Sequence, residues 1–186
     1  MTEDLWIVRH GPTEWSRDGR HTSTTDLPLL VDGEDDARAL APRLADLRPA
    51  LVLTSPRLRA RRTAELAGFP DAVVDDDLAE WAYGDYEGVT TAEIRETDPD
   101  WTIWDGVTPG GETADEVGAR LDRVVERARA VDGPVLAFAH GHSLRVLAVR
   151  WLGLPVAEGR RFHLDTATVS VLGVERDGPV VRRWNS

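Results

Sequence analysis

Four short apolar runs constrain the fold of this chain most: Leu5 to Val8, Leu51 to Leu53, Ala72 to Val74 and Val135 to Ala139 each place apolar side chains at consecutive positions. A strand alternates its faces residue by residue, so a run without a polar member predicts a strand covered on both sides. Such strands belong to mostly parallel sheets flanked by helices, and the intervening segments supply the helices. Val117, Leu121, Val124, Val125 and Ala128 form one apolar stripe, opened by the capping box Thr113-Ala114-Asp115-Glu116. Leu144, Leu147, Ala148, Trp151 and Leu152 form another, which Gly153 and Pro155 should end. A third runs from Gly33 to Leu47, where the internal Pro42 predicts a kink or a split. Near the C-terminus, alternation over Thr168 to Val171, then Arg176-Asp177-Gly178, then Val180 to Trp184, predicts an antiparallel hairpin. The expected fold is α/β, a three-layer helix-sheet-helix sandwich with a mostly parallel mixed sheet. At 186 residues and 41% hydrophobic content, one domain over residues 1–186 is expected.

Charge and composition narrow the chemistry. A net charge of -11 argues against nucleic acid or an anionic membrane as partner, because both require a broad positive footprint. No run of about 18 apolar residues occurs, and the N-terminus lacks a basic-then-apolar leader pattern, so a cytoplasmic protein is expected. Without cysteine there is no thiolate nucleophile and no Cys-type zinc site. Every one of the 22 basic residues is Arg, which removes a Walker-type phosphate loop and a Schiff-base lysine. The acidic group Asp71, Asp75, Asp76 and Asp77 reads as a solvated face.

The residues left to do chemistry sit where strands should end, the ligand-binding edge of α/β proteins. Arg9-His10-Gly11 follows the first apolar run, and His140-Gly141-His142-Ser143 follows the fourth and opens a helix. After the second run, Ser55 and Pro56 read as N-cap and first helical residue, which puts Arg59 in a first turn, where backbone N–H groups favour an anion and a guanidinium adds a bidentate contact. Arg57, Arg61 and Arg62 on the same helix read as solvated. Two histidines and two arginines converging on one edge would form a phosphoryl pocket, in which a neutral imidazole attacks phosphorus and the guanidiniums neutralise the equatorial oxygens. Neighbouring cations would keep that imidazole unprotonated. A leaving alkoxide needs a proton, and Glu80, beside Trp81 and Tyr83, is the candidate acid, with burial and a nearby dianion favouring its protonated form. A competing reading takes Gly141-His142-Ser143 as the nucleophile elbow of a serine esterase, but Arg145 stands at its final glycine position. His140 and His142 as a metal pair lack acidic or Cys partners, so no metal is expected.

In five pieces the chain resembles the histidine phosphatase superfamily, in the branch similar to cofactor-dependent phosphoglycerate mutases and small phosphatases. The pieces are Arg9-His10-Gly11 with Thr13 and Trp15, Ser55 to Ala64, Leu78-Ala79-Glu80 with Tyr83-Gly84 and Glu87-Gly88, Gly110-Gly111-Glu112-Thr113, and His140-Gly141. The resemblance implies a phosphoglycerate mutase-like fold, His10 as the phosphorylated nucleophile, Arg9, Arg59 and His140 as phosphoryl ligands, and Glu80 as general acid and then base. It also implies that Thr13, Ser16, Thr22, Ser23, Tyr83, Gly141 and His142 line the substrate pocket, with no cofactor. Pro12, Ser16 and Thr22-Ser23 depart from the family's usual residues, which puts the contacts to the non-transferred part of the substrate in question. The family's mutases carry a basic insertion with a lysine before the Gly-Gly motif, whereas here residues 84–111 are short, acidic and lysine-free and read equally as a wall or lid over a site or as a surface excursion. A metal-independent phosphatase for a small phosphorylated metabolite, of the sugar phosphate or phosphoglycerate kind, is therefore favoured over a mutase or a silent phospho-ligand-binding relative. A homodimer is compatible with the sequence.

Overall fold

The computed structural model describes residues 4–176 and 178–186. Six strands form one mixed sheet: β1 (Leu5–Arg9), β2 (Leu51–Thr54), β3 (Val73–Val74), β4 (Val135–Ala139), β5 (Val169–Glu175) and β6 (Gly178–Arg183), in the order β3-β2-β4-β1-β5-β6. The first four are mutually parallel, while β5 runs antiparallel to both β1 and β6. Strand β4 is buried at all five positions, as its unbroken apolar run requires. One face of the sheet packs on α2 (Val31–Ala39), α3 (Ala41–Leu44) and α4 (Leu58–Leu66), through Leu40, Leu44 and Ala64 against Val8, Leu136 and Phe138. The other face packs on α6 (Ala114–Arg129) and α7 (Gly141–Trp151), through Leu121, Val124, Leu144, Leu147 and Trp151 against Leu5, Ile7 and Ala137. This is the expected three-layer sandwich.

Local chemistry explains most of the boundaries. Helix α6 starts at the Thr113–Glu116 capping box, with both reciprocal bonds made, and α7 gives way at Gly153, where φ is +72°. The Gly33–Leu47 stripe splits at Leu40, and Pro42 falls in the first turn of α3, where its missing N–H costs nothing; α2 starts earlier than the stripe, at Val31.

Three expectations need correction. Ser55 does not cap α4: the helix begins at Leu58 after an extended Arg57, and the Leu58 N–H is taken by Asp26 Oδ1 at 2.7 Å, from a loop 32 residues away. The Ala72–Val74 run is not covered on both faces, because β3 is a two-residue edge strand with Val73 and Val74 55% and 48% exposed. Asp75 is not solvated: it is buried, caps Asp77 N–H and pairs with Arg127. The expected C-terminal hairpin is present, β5 pairing antiparallel with β6, and because β5 lies inside the sheet even Ser170 is fully buried. Within the expected hairpin turn, Asp177 lies outside the described residues.

The topology fixes where ligands can enter. After β1 the chain leaves for the α2–α4 face, and after β4 it leaves for the α7 face, so a crevice opens between the C-terminal ends of two adjacent parallel strands.

Candidate active site

Register brings the two histidines into that crevice. Arg9 pairs with Ala139, the His10 N–H donates to the Ala139 carbonyl at 3.0 Å, and the His10 and His140 rings lie 5.2 Å apart, edge to face. His10 is 5% exposed, and its Nδ1 is 2.7 Å from the Gly11 carbonyl. A carbonyl only accepts, so Nδ1 carries the proton and Nε2 keeps a lone pair. Burial, then the charges of Arg59 and Arg9, hold the imidazole well below its ordinary pKa of 6.5. Gly11 is required by close approach: a Cβ there would come within 2.4 Å of the Gly33 carbonyl, and its N–H donates to Thr63 Oγ1.

His140 is held from both sides. Arg59 Nε donates to its Nδ1 at 3.2 Å, which leaves the proton on Nε2, 2.7 Å from Ser55 Oγ. Burial first, and then Arg59, push its pKa well down. Arg59 is fully buried, and three of its four other N–H groups meet the Thr25, Thr22 and Ser23 carbonyls at 3.1 to 3.3 Å. The expected bidentate anion contact from Arg59 is therefore not open to it in this geometry; it supplies a buried positive charge behind the histidines. The loop that supplies those carbonyls is tied down by Glu87, which accepts from Ser23 N–H, Ser23 Oγ and Thr25 N–H. Burial pushes the Glu87 pKa up, but these bonds outweigh it and leave the group below its ordinary value.

Arg9 keeps capacity for a ligand. Its Nη1 donates to the Leu164 carbonyl, while its buried Nε has no partner among the described residues. Gly141 lies under the guanidinium, with an ideal Cβ only 3.3 Å from Arg9 Cζ, so any side chain there would crowd the cation. Glu80 faces the same space. Its Oε1 accepts from Trp81 and Ser143 N–H at 2.9 and 2.7 Å and its Oε2 from His142 N–H at 3.0 Å, at the N-terminus of α7. The Gly110-Gly111-Glu112 segment carries this loop: Glu112 bonds Ala82 through backbone and side chain and accepts Trp81 Nε1–H, and Arg120 pairs with its carboxylate.

A cavity of about 240 Å³ is lined by Arg9, His10 and Glu80, and also by Thr13, Ser16, Thr22, Tyr83, Gly141 and His142. Arg59 and His140 stand behind it. Ser23 does not line it; its hydroxyl is occupied by Glu87. Thr13 and Ser16 contribute through a reciprocal cap on α1 (Glu14–Asp18). Tyr83 OH and His142 Nδ1 are 2.6 Å apart, and burial holds His142 well below its ordinary pKa.

Sequence reasoning missed Arg20, His21, Thr91, Arg145 and Leu164, which also line the cavity. Only Arg145 carried a signal, one helical turn beyond Gly141. Its guanidinium lies 4.5 Å over the Trp104 ring and its Nε donates to the Gly159 carbonyl. His21 is buried against Tyr83 and Trp101, and burial lowers its pKa to about 4. Residues 84–111 form a wall rather than an open excursion, with Trp101, Ile103 and Trp104 buried. Ser143 is fully buried, with a hydroxyl that meets no partner among the described residues, which removes it as an exposed elbow nucleophile.

Residues 5–186 match the family model described as histidine phosphatase superfamily (branch 1). The chain is 42% identical over 175 residues to an acid phosphatase of Mycobacterium tuberculosis, covering 92% of this chain and 86% of that one. It is 40% identical over 191 residues to the sedoheptulose 1,7-bisphosphatase of Saccharomyces cerevisiae, covering 84% and 70%. A solved, functionally characterised Mycobacterium tuberculosis protein superposes with a TM-score of 0.94 at 40% identity over 98% of this chain and 96% of that one. Sequence motifs, fold and these relatives agree: the chain belongs to the histidine phosphatase superfamily.

Proposed function

We propose that this protein hydrolyses small phosphate monoesters, without a metal, through a phosphohistidine formed on His10. The observation that carries this reading is the free Nε2 lone pair of a neutral, buried imidazole facing a cavity shared with Glu80 and the unpartnered Nε–H of Arg9. In the first half-reaction Nε2 attacks phosphorus and the P–O ester bond breaks. The proton for the departing alkoxide comes from Glu80, and Oε2 is the suited oxygen, since it accepts one backbone bond where Oε1 accepts two. In the second half a water attacks phosphorus, Glu80 takes its proton, and the P–N bond breaks to restore neutral His10. Arg9 and the positive charge of Arg59 offset the charge on the equatorial oxygens throughout.

The test is turnover of p-nitrophenyl phosphate with acid trapping of the enzyme. An acid-labile phosphoenzyme, lost together with activity in His10→Ala and insensitive to exhaustive chelation, is expected. Activity that survives His10→Ala excludes the mechanism, and phosphoglycerate isomerisation without phosphate release favours the mutase reading.

The leaving-group side supports a substrate with a second anion, such as a sugar bisphosphate or a phosphorylated acid. Arg145 lines the cavity, rests on Trp104 and makes no ion pair among the described residues. Arg145→Gln should raise KM for fructose 1,6-bisphosphate about tenfold, the worth of one charge-assisted hydrogen bond, and leave KM for p-nitrophenyl phosphate within about twofold. Equal effects on both substrates would remove Arg145 from substrate selection.

A further inference from the structure

Arg9 is aimed by very little. Among the described residues its guanidinium hydrogen-bonds one acceptor, the Leu164 carbonyl, so the direction of its unpartnered Nε–H depends on where residue 164 stands. Residues 162–168 form neither helix nor strand. The same stretch closes over the end of β1, where the Ala167 N–H donates to the Arg9 and His10 carbonyls at 3.1 and 3.2 Å.

What brackets this stretch comes from beyond β6. Trp184 Nε1 donates to the His163 carbonyl at 2.5 Å and its ring meets Phe162 at 5.2 Å. Ser186 pairs with Val169 through both backbone groups. Between them, Asn185 closes a two-bond clamp on Asp165: its Oδ1 accepts the Asp165 N–H and its Nδ2 donates to Asp165 Oδ2, both at 2.7 Å. Asn185 is anchored by its own N–H on Ser170 Oγ at 2.9 Å, with φ +52°, a conformation that Asn tolerates better than most side chains. Two reciprocal bonds from one planar amide fix both the position and the rotation of residue 165, the immediate neighbour of Leu164. His163 also bonds Asp165, but it belongs to the same stretch and cannot anchor it to the sheet.

We propose that Asn185 is a positioning residue for Arg9: through its clamp on Asp165 it places the Leu164 carbonyl and so aims the Arg9 guanidinium at the phosphoryl group. The inference rests on the reading of Arg9 as a phosphoryl ligand. It accounts for an ordered polar cluster on the outer side of the site that the chemistry itself does not use.

The test compares four variants in p-nitrophenyl phosphate kinetics and in inhibition by inorganic phosphate, with thermal unfolding followed alongside. Asn185→Gly removes the clamp and tolerates the positive φ. Asp165→Asn keeps a backbone donor and a side-chain acceptor for the clamp and removes only the charge. Asn185→Gly should lower kcat/KM and weaken phosphate binding about fivefold, the worth of one net hydrogen bond, while Asp165→Asn stays within about twofold of the parent. Added to Arg9→Gln, the Asn185→Gly change should cost nothing further, because the residue it positions is already gone. Unchanged kinetics in Asn185→Gly, an undiminished loss in the Arg9→Gln background, or an equal loss in Asp165→Asn would each overturn the proposal. An Arg9→Gln enzyme that binds phosphate and turns over normally would instead overturn the reading of Arg9, and the proposal with it.

Discussion

The proton on His10 Nδ1 decides how this site can work. One carbonyl, Gly11 O, fixes the tautomer, and burial with two guanidiniums keeps the ring neutral. Because the pKa of His10 is lowered well below 6.5, the neutral form persists to more acidic pH than in a solvated histidine. Imidazole ¹⁵N NMR should show the Nδ1–H tautomer at pH 6.5 and below; protonation at or above that pH would contradict the assignment. Arg59 shows the limit of reading single residues. The sequence placed it correctly in a first helical turn, but the use of its donors depends on the carbonyls of residues 22, 23 and 25, presented by a loop that Glu87 holds from farther along the chain. No local pattern announces such a contact, because it is made by backbone atoms that every residue possesses.

At the scale of elements, the site depends on how closely α2 approaches the turn after β1. A Cβ on Gly33 would come within 2.3 Å of the Pro12 carbonyl, and one on Gly11 within 2.4 Å of the Gly33 carbonyl, so two backbones cross with no room for a methyl group. Pro12 keeps that turn rigid at the crossing. Gly33→Ala should destabilise the fold by about 1–3 kcal/mol, the usual range for overpacking, and lower activity by displacing His10. A melting temperature and kcat/KM equal to the parent would show that the crossing yields easily. Helices α6 and α7 were legible because their stripes, capping box and terminal glycine are local signals. The start of α4 was not, since Asp26 from a distant loop competes with Ser55 for the first turn, and Ser55 is drawn instead to His140. The exposed edge strand β3 escaped for a related reason: an apolar run records what could be buried, not whether another strand lies beyond it.

Taken whole, the molecule gathers His10, His21, His140 and His142 around one cavity and holds all four below the ordinary histidine pKa. As pH falls through 6.5 the unfolded chain binds protons that the folded chain refuses, so stability declines on the acid side of that value. His21 alone, at about 4 when folded against 6.5 when unfolded, contributes on the order of 3 kcal/mol of this loss between those values. In His21→Gln the melting temperature should depend less steeply on pH between 6.5 and 4; an unchanged slope would place the acid sensitivity elsewhere. The sequence by itself determined the layered α/β fold, the strand ends that carry His10 and His140, and the family, because apolar periodicity, caps and contiguous motifs are written in neighbouring residues. Only the tertiary structure decided which donors remain free for a ligand, that Arg59 is a buried charge and Ser23 an anchor, and that Arg145 and His21 enter the cavity. Those outcomes depend on carbonyls, rings and carboxylates that strand order and register bring together from segments far apart in the chain.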